Sequence, residues 1–240
     1  MFYKIIFLVK FILVRGLLFL GMKIKAVFCD LDGTLIDSIP LIMQSDKEAI
    51  NEFGFSMSHQ KLRELSMFHS REVAYYLMDS SRIFFDLFAF VEFRRKAFVR
   101  LLRKHKAKNL WFRGAKDFVK AVSGGYKMAL VTGSRHRFVK EVFDKKTLAC
   151  FKYLVTSDDV EHKKPDIEPL LKAITHFKLK REEVLFVGDS VQDALMCQRF
   201  GVMFIAKLGG ISTENELRKF SPVFVAKNYA EIIRFLELIS

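Results

Sequence analysis

The spacing of apolar residues changes twice along the chain, and the changes divide it. Ala26-Val27-Phe28-Cys29 is a short apolar run that stops at Asp30-Leu31-Asp32-Gly33, the pattern of a strand buried on both faces and closed by a turn. Apolar positions then recur every three or four residues. This predicts helices over Leu41–Phe53, Gln60–Met67, Arg71–Met78 and Ile83–Leu102, with no strand signal between them. From about Trp111, short apolar runs alternate with helical stretches. Met128–Val131, Tyr153–Val155, Val184–Val187, Val202–Ile205 and Val223–Val225 read as strands, Gly114 opens a helix, and the last helix covers Tyr229–Leu238. Such alternation predicts a parallel sheet. The chain therefore reads as one α/β core, 22–38 with 111–240, into which a helical unit, 39–110, is inserted after the first strand.

Residues 1–21 stand apart. They contain no acidic residue, carry Lys4, Lys10 and Arg15, and are otherwise almost wholly apolar. Cations interrupt the run and no small-residue cleavage site follows it, which speaks against a signal peptide. Interior cations also cost too much for a membrane span. The reading adopted is a start of the polypeptide at Met22, with contact of 1–21 with a membrane surface as the alternative.

At 240 residues, half of them apolar, the chain can bury a full core. Its net charge of +13 fits an anionic partner. The densest run (Arg94, Arg95, Lys96, Arg100, Arg103, Lys104, Lys106, Lys108) is threaded by Phe90, Phe93, Ala97 and Leu101 at helical spacing, and reads as the solvated face of a helix. No recognition motif accompanies it, so no nucleic acid is expected as a partner. Cys29, Cys150 and Cys197 lie far apart without C-x-x-C spacing, and read as free thiols of a reducing compartment, the cytoplasm.

The candidate chemistry sits where the strands end. Asp30 and Asp32 lie just past the first strand, on the carboxyl side where open α/β sheets bind ligands, and alternate extended residues point the same way. One carboxylate can attack a reacting atom while the other moves a proton. Val131 is followed by Thr132-Gly133-Ser134, a hydroxyl and a turn leading into a helix, which suits a phosphate oxygen. Val187 is followed by Gly188-Asp189-Ser190, with Asp193 one helical turn further on. Lys163-Lys164-Pro165-Asp166 precedes the fourth strand, with Pro165 suited to the first turn of a helix. Each signal alone reads as an N-cap or a solvated turn. Together, Asp30, Asp32, Asp189 and Asp193 at one sheet edge require cations, and oxygen-only donors select a hard ion such as Mg²⁺.

In this order, Asp30-Leu31-Asp32-Gly33-Thr34-Leu35-Ile36-Asp37-Ser38, Val131-Thr132-Gly133-Ser134, Lys164-Pro165-Asp166 and Gly188-Asp189-Ser190-Val191-Gln192-Asp193 resemble the motifs of the haloacid dehalogenase-like hydrolase superfamily. The likeness covers roughly 23–240. The helical insert and Asp166-Ile167-Glu168-Pro169-Leu170-Leu171 are similar to the branch that contains phosphoglycolate phosphatase and β-phosphoglucomutase. The resemblance implies a Rossmann-like, three-layer α/β/α core with a helical cap, and phosphoryl transfer through an aspartyl-phosphate. Asp30 would be the nucleophile and Asp32 the acid and base, with its backbone carbonyl helping to hold Mg²⁺. Lys164 would bridge Asp30 and the phosphate. Thr132 and Gly133 would bind the phosphoryl group, and Asp189 and Asp193 would complete the metal site. An acid at position 32 favours phosphate esters over carbon–halogen bonds. Arg113 and Lys163 depart from the usual Pro and Gly. Ser70-Arg71 resembles a pair in the mutase-like branch, so Arg71 is a candidate for a second anionic group of the substrate. The expected activity is a Mg²⁺-dependent phosphatase of a small phosphate monoester, phosphoglycolate-like or sugar-phosphate-like, with a β-phosphoglucomutase-like phosphotransferase as the alternative.

Overall fold

The computed structural model describes residues 23–105 and 110–239, so segment 1–21, Lys106 and Lys108 lie outside the described residues. Within them, β1 (Ala26–Cys29), β2 (Lys127–Val131), β3 (Tyr153–Val155), β4 (Val184–Gly188), β5 (Met203–Lys207) and β6 (Phe224–Ala226) form one sheet of order β3-β2-β1-β4-β5-β6. Every pairing is parallel. β1 is central, with Phe28 in register with Ala129 of β2 and Phe186 of β4. Its four residues are fully buried because both faces of the sheet are covered.

The first four described helices after β1, α1 (Ile39–Glu52), α2 (His59–Leu65), α3 (Ser70–Ser81) and α4 (Leu87–His105), make up the insert. They share a hydrophobic cluster of their own, in which Ile50, Leu65, Leu77 and Phe90 are buried. The expected helix from Ile83 begins only at Leu87. Arg82 ends α3 in the left-handed conformation, and the Asp86 carboxylate accepts the amides of Phe88 and Ala89 as the cap of α4. α2 likewise stops at Leu65, short of Met67.

The remaining helices are α5 (Ala115–Ser123), α6 (His136–Val142), the one-turn α7 (Lys145–Leu148), α8 (Glu168–Phe177), α9 (Val191–Phe200), α10 (Glu214–Arg218) and α11 (Tyr229–Leu238). Strand alternation sorts them into layers. Val27 and Cys29 join the cluster of Phe118, Val139 and Ile232 from α5, α6 and α11, and Ala26 and Phe28 join that of Leu170, Met196 and Leu217 from α8, α9 and α10. The result is the three-layer α/β/α core predicted from the alternation, Rossmann-like in its parallel sheet.

Two local expectations are corrected. Pro165 is not in a first helical turn: α8 begins at Glu168 with Pro169 inside it, and Pro165 lies in the preceding loop, after a cis peptide bond. Thr132-Gly133-Ser134 does not run straight into a helix either, since α6 starts at His136 after an extended Arg135. The basic face of α4 is also divided. Arg95 and Lys96 pair with Glu92 at the surface, whereas Arg94 turns inward onto the buried Asp46.

Candidate active site

The sheet carries its hydrogen-bond ladder one residue into the site, for the Asp30 amide donates to the Val187 carbonyl at 3.0 Å. The chain then curls on itself. Leu35 and Ile36 both donate to the Leu31 carbonyl, and Gly33, at φ +77°, donates to Ile36. That left-handed conformation suits glycine, and the space does too: a Cβ on Gly33 would stand 2.3 Å from an Asp189 oxygen.

Asp30, Asp189 and Asp193 converge from β1, β4 and the first turn of α9, each offering a carboxylate oxygen within 4.8 Å of the others. Lys164 Nζ donates to Asp30 Oδ1 at 2.7 Å and to Asp193 Oδ1 at 2.6 Å, and is itself buried. Burial pulls this ammonium down, but Asp193 and Asp30 outweigh it and hold it above the ordinary lysine range. One ammonium does not balance the acids around it. Desolvation pushes Asp30 well above the usual carboxylate range against Lys164, with Asp193, Asp189 and Asp32 adding to the rise. Desolvation and Asp193 push Asp189 up to about 7, although Thr34 and the Ile211 amide oppose this. A buried set of oxygen donors, short of positive charge, fits a hard divalent cation.

Asp189 is fixed on every side. Thr34 Oγ1 donates to Oδ1 at 2.6 Å and the Ile211 amide to Oδ2 at 2.8 Å, while Gly33 and Gly210 press against the carboxylate. A Cβ on Gly210 would fall 1.9 Å from Oδ2. Gly210→Ala must therefore displace Asp189 or its own loop. The expected cost is about 1–3 kcal/mol, read as a lowered urea midpoint; a midpoint like that of the unchanged chain would mean that the carboxylate is not held where it stands.

Asp32 is not one of the three clustered carboxylates and has its own set of partners. Ser38 donates to its Oδ1 and Ser134 to its Oδ2, both at 2.5 Å, with a further hydrogen bond from Thr132. Burial raises its carboxyl above the ordinary range, against those three hydroxyls. A carboxyl so placed can hold and release a proton beside Asp30.

These groups open into a cavity of about 220 Å³ between the sheet edge and the inserted helices. Asp30, Asp32, Lys164, Asp193 and Gly133 line its core side, and Ile42, Ser66, Phe68, His69, Arg94 and Phe98 are among the residues that line the other. Arg63 of α2 joins the two parts by donating to the Ile211 carbonyl at 2.9 Å and to Glu216 at 3.1 Å, above the loop that fixes Asp189. The structure thus brings together Asp30, Asp32, Gly133, Lys164, Asp189 and Asp193. Thr132 is buried behind the cavity wall, where its Oγ1 accepts the Ser134 amide. Arg71 is exposed and is not among the residues lining the cavity. Lys163 is exposed as well, which leaves Lys164 as the lysine of the site.

Sequence reasoning did not assign the hydroxyls of Ser38 and Ser134 to Asp32 or that of Thr34 to Asp189, although all three stand inside the motifs. Ser190, in the same position, donates its Oγ to Asp193 Oδ2 at 2.6 Å. Gly210 and Asp46 carried no signal and Arg94 only that of a solvated cationic face, all three being joined to the site only through space.

The haloacid dehalogenase-like hydrolase family model matches residues 27–207. A pyrophosphatase PpaX of Bacillus mycoides is 28% identical over 221 residues, covering 91% of this chain and all of the relative. A phosphoglycolate phosphatase of Vibrio parahaemolyticus is 26% identical, covering 88% of this chain and 95% of the relative. Among solved structures, a haloacid dehalogenase-like hydrolase from Streptococcus pneumoniae superposes with a TM-score of 0.72 at 20% identity, covering 88% of this chain and 98% of the other.

Proposed function

The chain belongs to the haloacid dehalogenase-like hydrolase family, and from that membership we propose that it is a Mg²⁺-dependent phosphatase acting on a small phosphate monoester, of the phosphoglycolate or sugar-phosphate kind. One observation carries the reading: Asp30, bonded by Lys164, lines a small cavity together with an Asp32 that three hydroxyls hold. The cavity is smaller than the roughly 300–1,000 Å³ of drug-sized sites, which suits a small substrate.

In this reading an oxygen of Asp30 attacks phosphorus, the bond from phosphorus to the ester oxygen breaks, and Asp32 gives its proton to the departing oxygen. Water then attacks the aspartyl-phosphate. Asp32 takes the water's proton, the bond between phosphorus and Asp30 breaks, and inorganic phosphate leaves. The Ser38 and Ser134 hydroxyls keep Asp32 aimed through both steps, and Lys164 balances charge at Asp30 and the phosphoryl oxygens. Gly133 contributes its amide to those oxygens, and Thr132 acts from behind by holding Ser134 and Asp32. Asp30, Asp189, Asp193 and the Asp32 carbonyl would hold Mg²⁺, which supplies neutralisation of the phosphoryl charge. The inserted helices (39–110) serve as a cap that excludes bulk water.

The test is phosphate release from a panel of small monoesters by the chain begun at Met22, with Mg²⁺ and with EDTA. Turnover of one preferred ester, silent in EDTA, is expected. Mg²⁺-dependent labelling of Asp30 without phosphate release would replace the phosphatase by a mutase-like phosphotransferase, and turnover undiminished in EDTA would remove the metal from the reading.

A further inference from the structure

One buried cation has no part in the phosphoryl chemistry. Lys207 closes β5 and is 4% exposed. Its Nζ donates to the Leu208 carbonyl at 2.5 Å and stands over two rings, 4.9 Å from the centroid of Phe112 and 5.2 Å from that of Tyr229. Burial pulls the ammonium below the ordinary lysine range, against the opposing pull of Asp189 and Asp37. An apolar side chain of the same length would fill this space with no charge to desolvate, so packing alone does not account for a lysine here.

Both oxygens of Asp189 lead back to this ammonium. On one side, Leu208 begins the loop Leu208-Gly209-Gly210-Ile211. A Cβ on Gly209 would stand 3.8 Å from Nζ, Gly210 presses on the carboxylate, and the Ile211 amide donates to Oδ2 at 2.8 Å. On the other side, Tyr229 donates its hydroxyl to the Thr34 carbonyl, and Thr34 Oγ1 donates to Oδ1 at 2.6 Å. Phe112 belongs to the same frame, since its amide donates at 3.1 Å to the carbonyl of Leu35, next to Thr34. The two donors that aim Asp189 are remote in sequence, and Lys207 touches the support of each.

We propose that Lys207 is a positioning residue of the metal site: its ammonium, held by the Leu208 carbonyl and the rings of Phe112 and Tyr229, keeps the Ile211 amide and the Thr34 hydroxyl in place, and so presents Asp189 to Mg²⁺. The assignment rests on the phosphatase reading, in which Asp189 is a metal ligand. Supports of this kind matter because a carboxylate fixed by its own hydrogen bonds loses little freedom when it takes a metal. The ammonium also repels a divalent ion. Nζ bonds to Leu208 and not to Asp189, however, so that repulsion acts from farther off than the two hydrogen bonds it supports.

The test is calorimetric titration of the full chain with Mg²⁺, with melting in EDTA alongside. Lys207→Met keeps the length of the side chain and loses the ammonium. It is expected to bind Mg²⁺ about tenfold more weakly, the loss usual when the support of a metal ligand is removed, while its Tm in EDTA stays within a few degrees of native. In turnover the same loss reads as a raised Mg²⁺ requirement that excess Mg²⁺ overcomes, which a packing defect would not show. Tyr229→Phe keeps the ring under the ammonium and removes only the bond to Thr34. About threefold weaker binding is expected of it, and it decides the question should Lys207→Met not fold. Mg²⁺ binding as tight as native, or tighter, in either folded variant overturns the proposal. So does a Lys207→Met variant whose turnover stays low at saturating Mg²⁺, for that would assign the lysine to packing. In both cases a native chain that binds Mg²⁺ keeps the phosphatase reading. A native chain that binds no Mg²⁺ overturns the metal in that reading and the proposal with it.

Discussion

Replacing Asp30 with Asn is expected to lower phosphate release by at least about four orders of magnitude, because a carboxamide does not serve as the nucleophile. The fold should persist. The substitution is nearly isosteric, and the side chain it neutralises is one that burial and its acidic neighbours already disfavour as an anion. Lys164 keeps its bond to Asp193 when Asp30 is gone. A melting temperature within a few degrees of the native chain's is therefore expected, and it separates a lost nucleophile from a lost structure. Residual activity above about one hundredth of native, in a folded variant, would mean that another group attacks phosphorus.

Lys164→Met should damage both activity and stability, and the two losses have one cause. Nζ is buried between Asp30 and Asp193 and is the lysine that spans them. Removing it leaves those carboxylates with Asp32 and Asp189 and, among the described residues, no ammonium bonded to Asp30 or Asp193. Breaking a buried ion pair from one side costs about 3–5 kcal/mol, so a large fall in the urea midpoint is expected in EDTA. A divalent cation should then stabilise the variant more than it stabilises the native chain, since it replaces part of the missing charge. Turnover should fall about a thousandfold or more even with Mg²⁺, as the group balancing charge at Asp30 is absent. A variant as stable as the native chain in EDTA would show that the acids are not held together by Lys164.

Much of this protein could be read from its residues in order. The alternation after Trp111 identified the parallel sheet, because strands buried on both faces must be short continuous apolar runs whatever surrounds them. Tyr153–Val155 and Tyr229–Leu238 were located to the residue. The acids and Lys164 were also visible, for their chemistry lies in residue type and in position after a strand. The breaks within the insert were less clear. The apolar spacing of Ile83–Leu102 continues through residues that Arg82 and Asp86 remove from the helix by local backbone and capping, which periodicity does not register.

Only the tertiary structure decided how the charges are spent. Arg94 belongs to a run of cations that reads as a solvated face, and nothing in the spacing tells it from Arg95. It faces inward because Asp46, 48 residues earlier, is buried where α1 and α4 pack together, and a buried carboxylate requires a partner. Asp189 is likewise oriented by Thr34 from the first motif and by the loop at Gly210 and Ile211. The side chains that make up a site are dictated by their own chemistry and can be found one at a time. Which of them meet depends on distances between elements remote in sequence, and packing alone sets those.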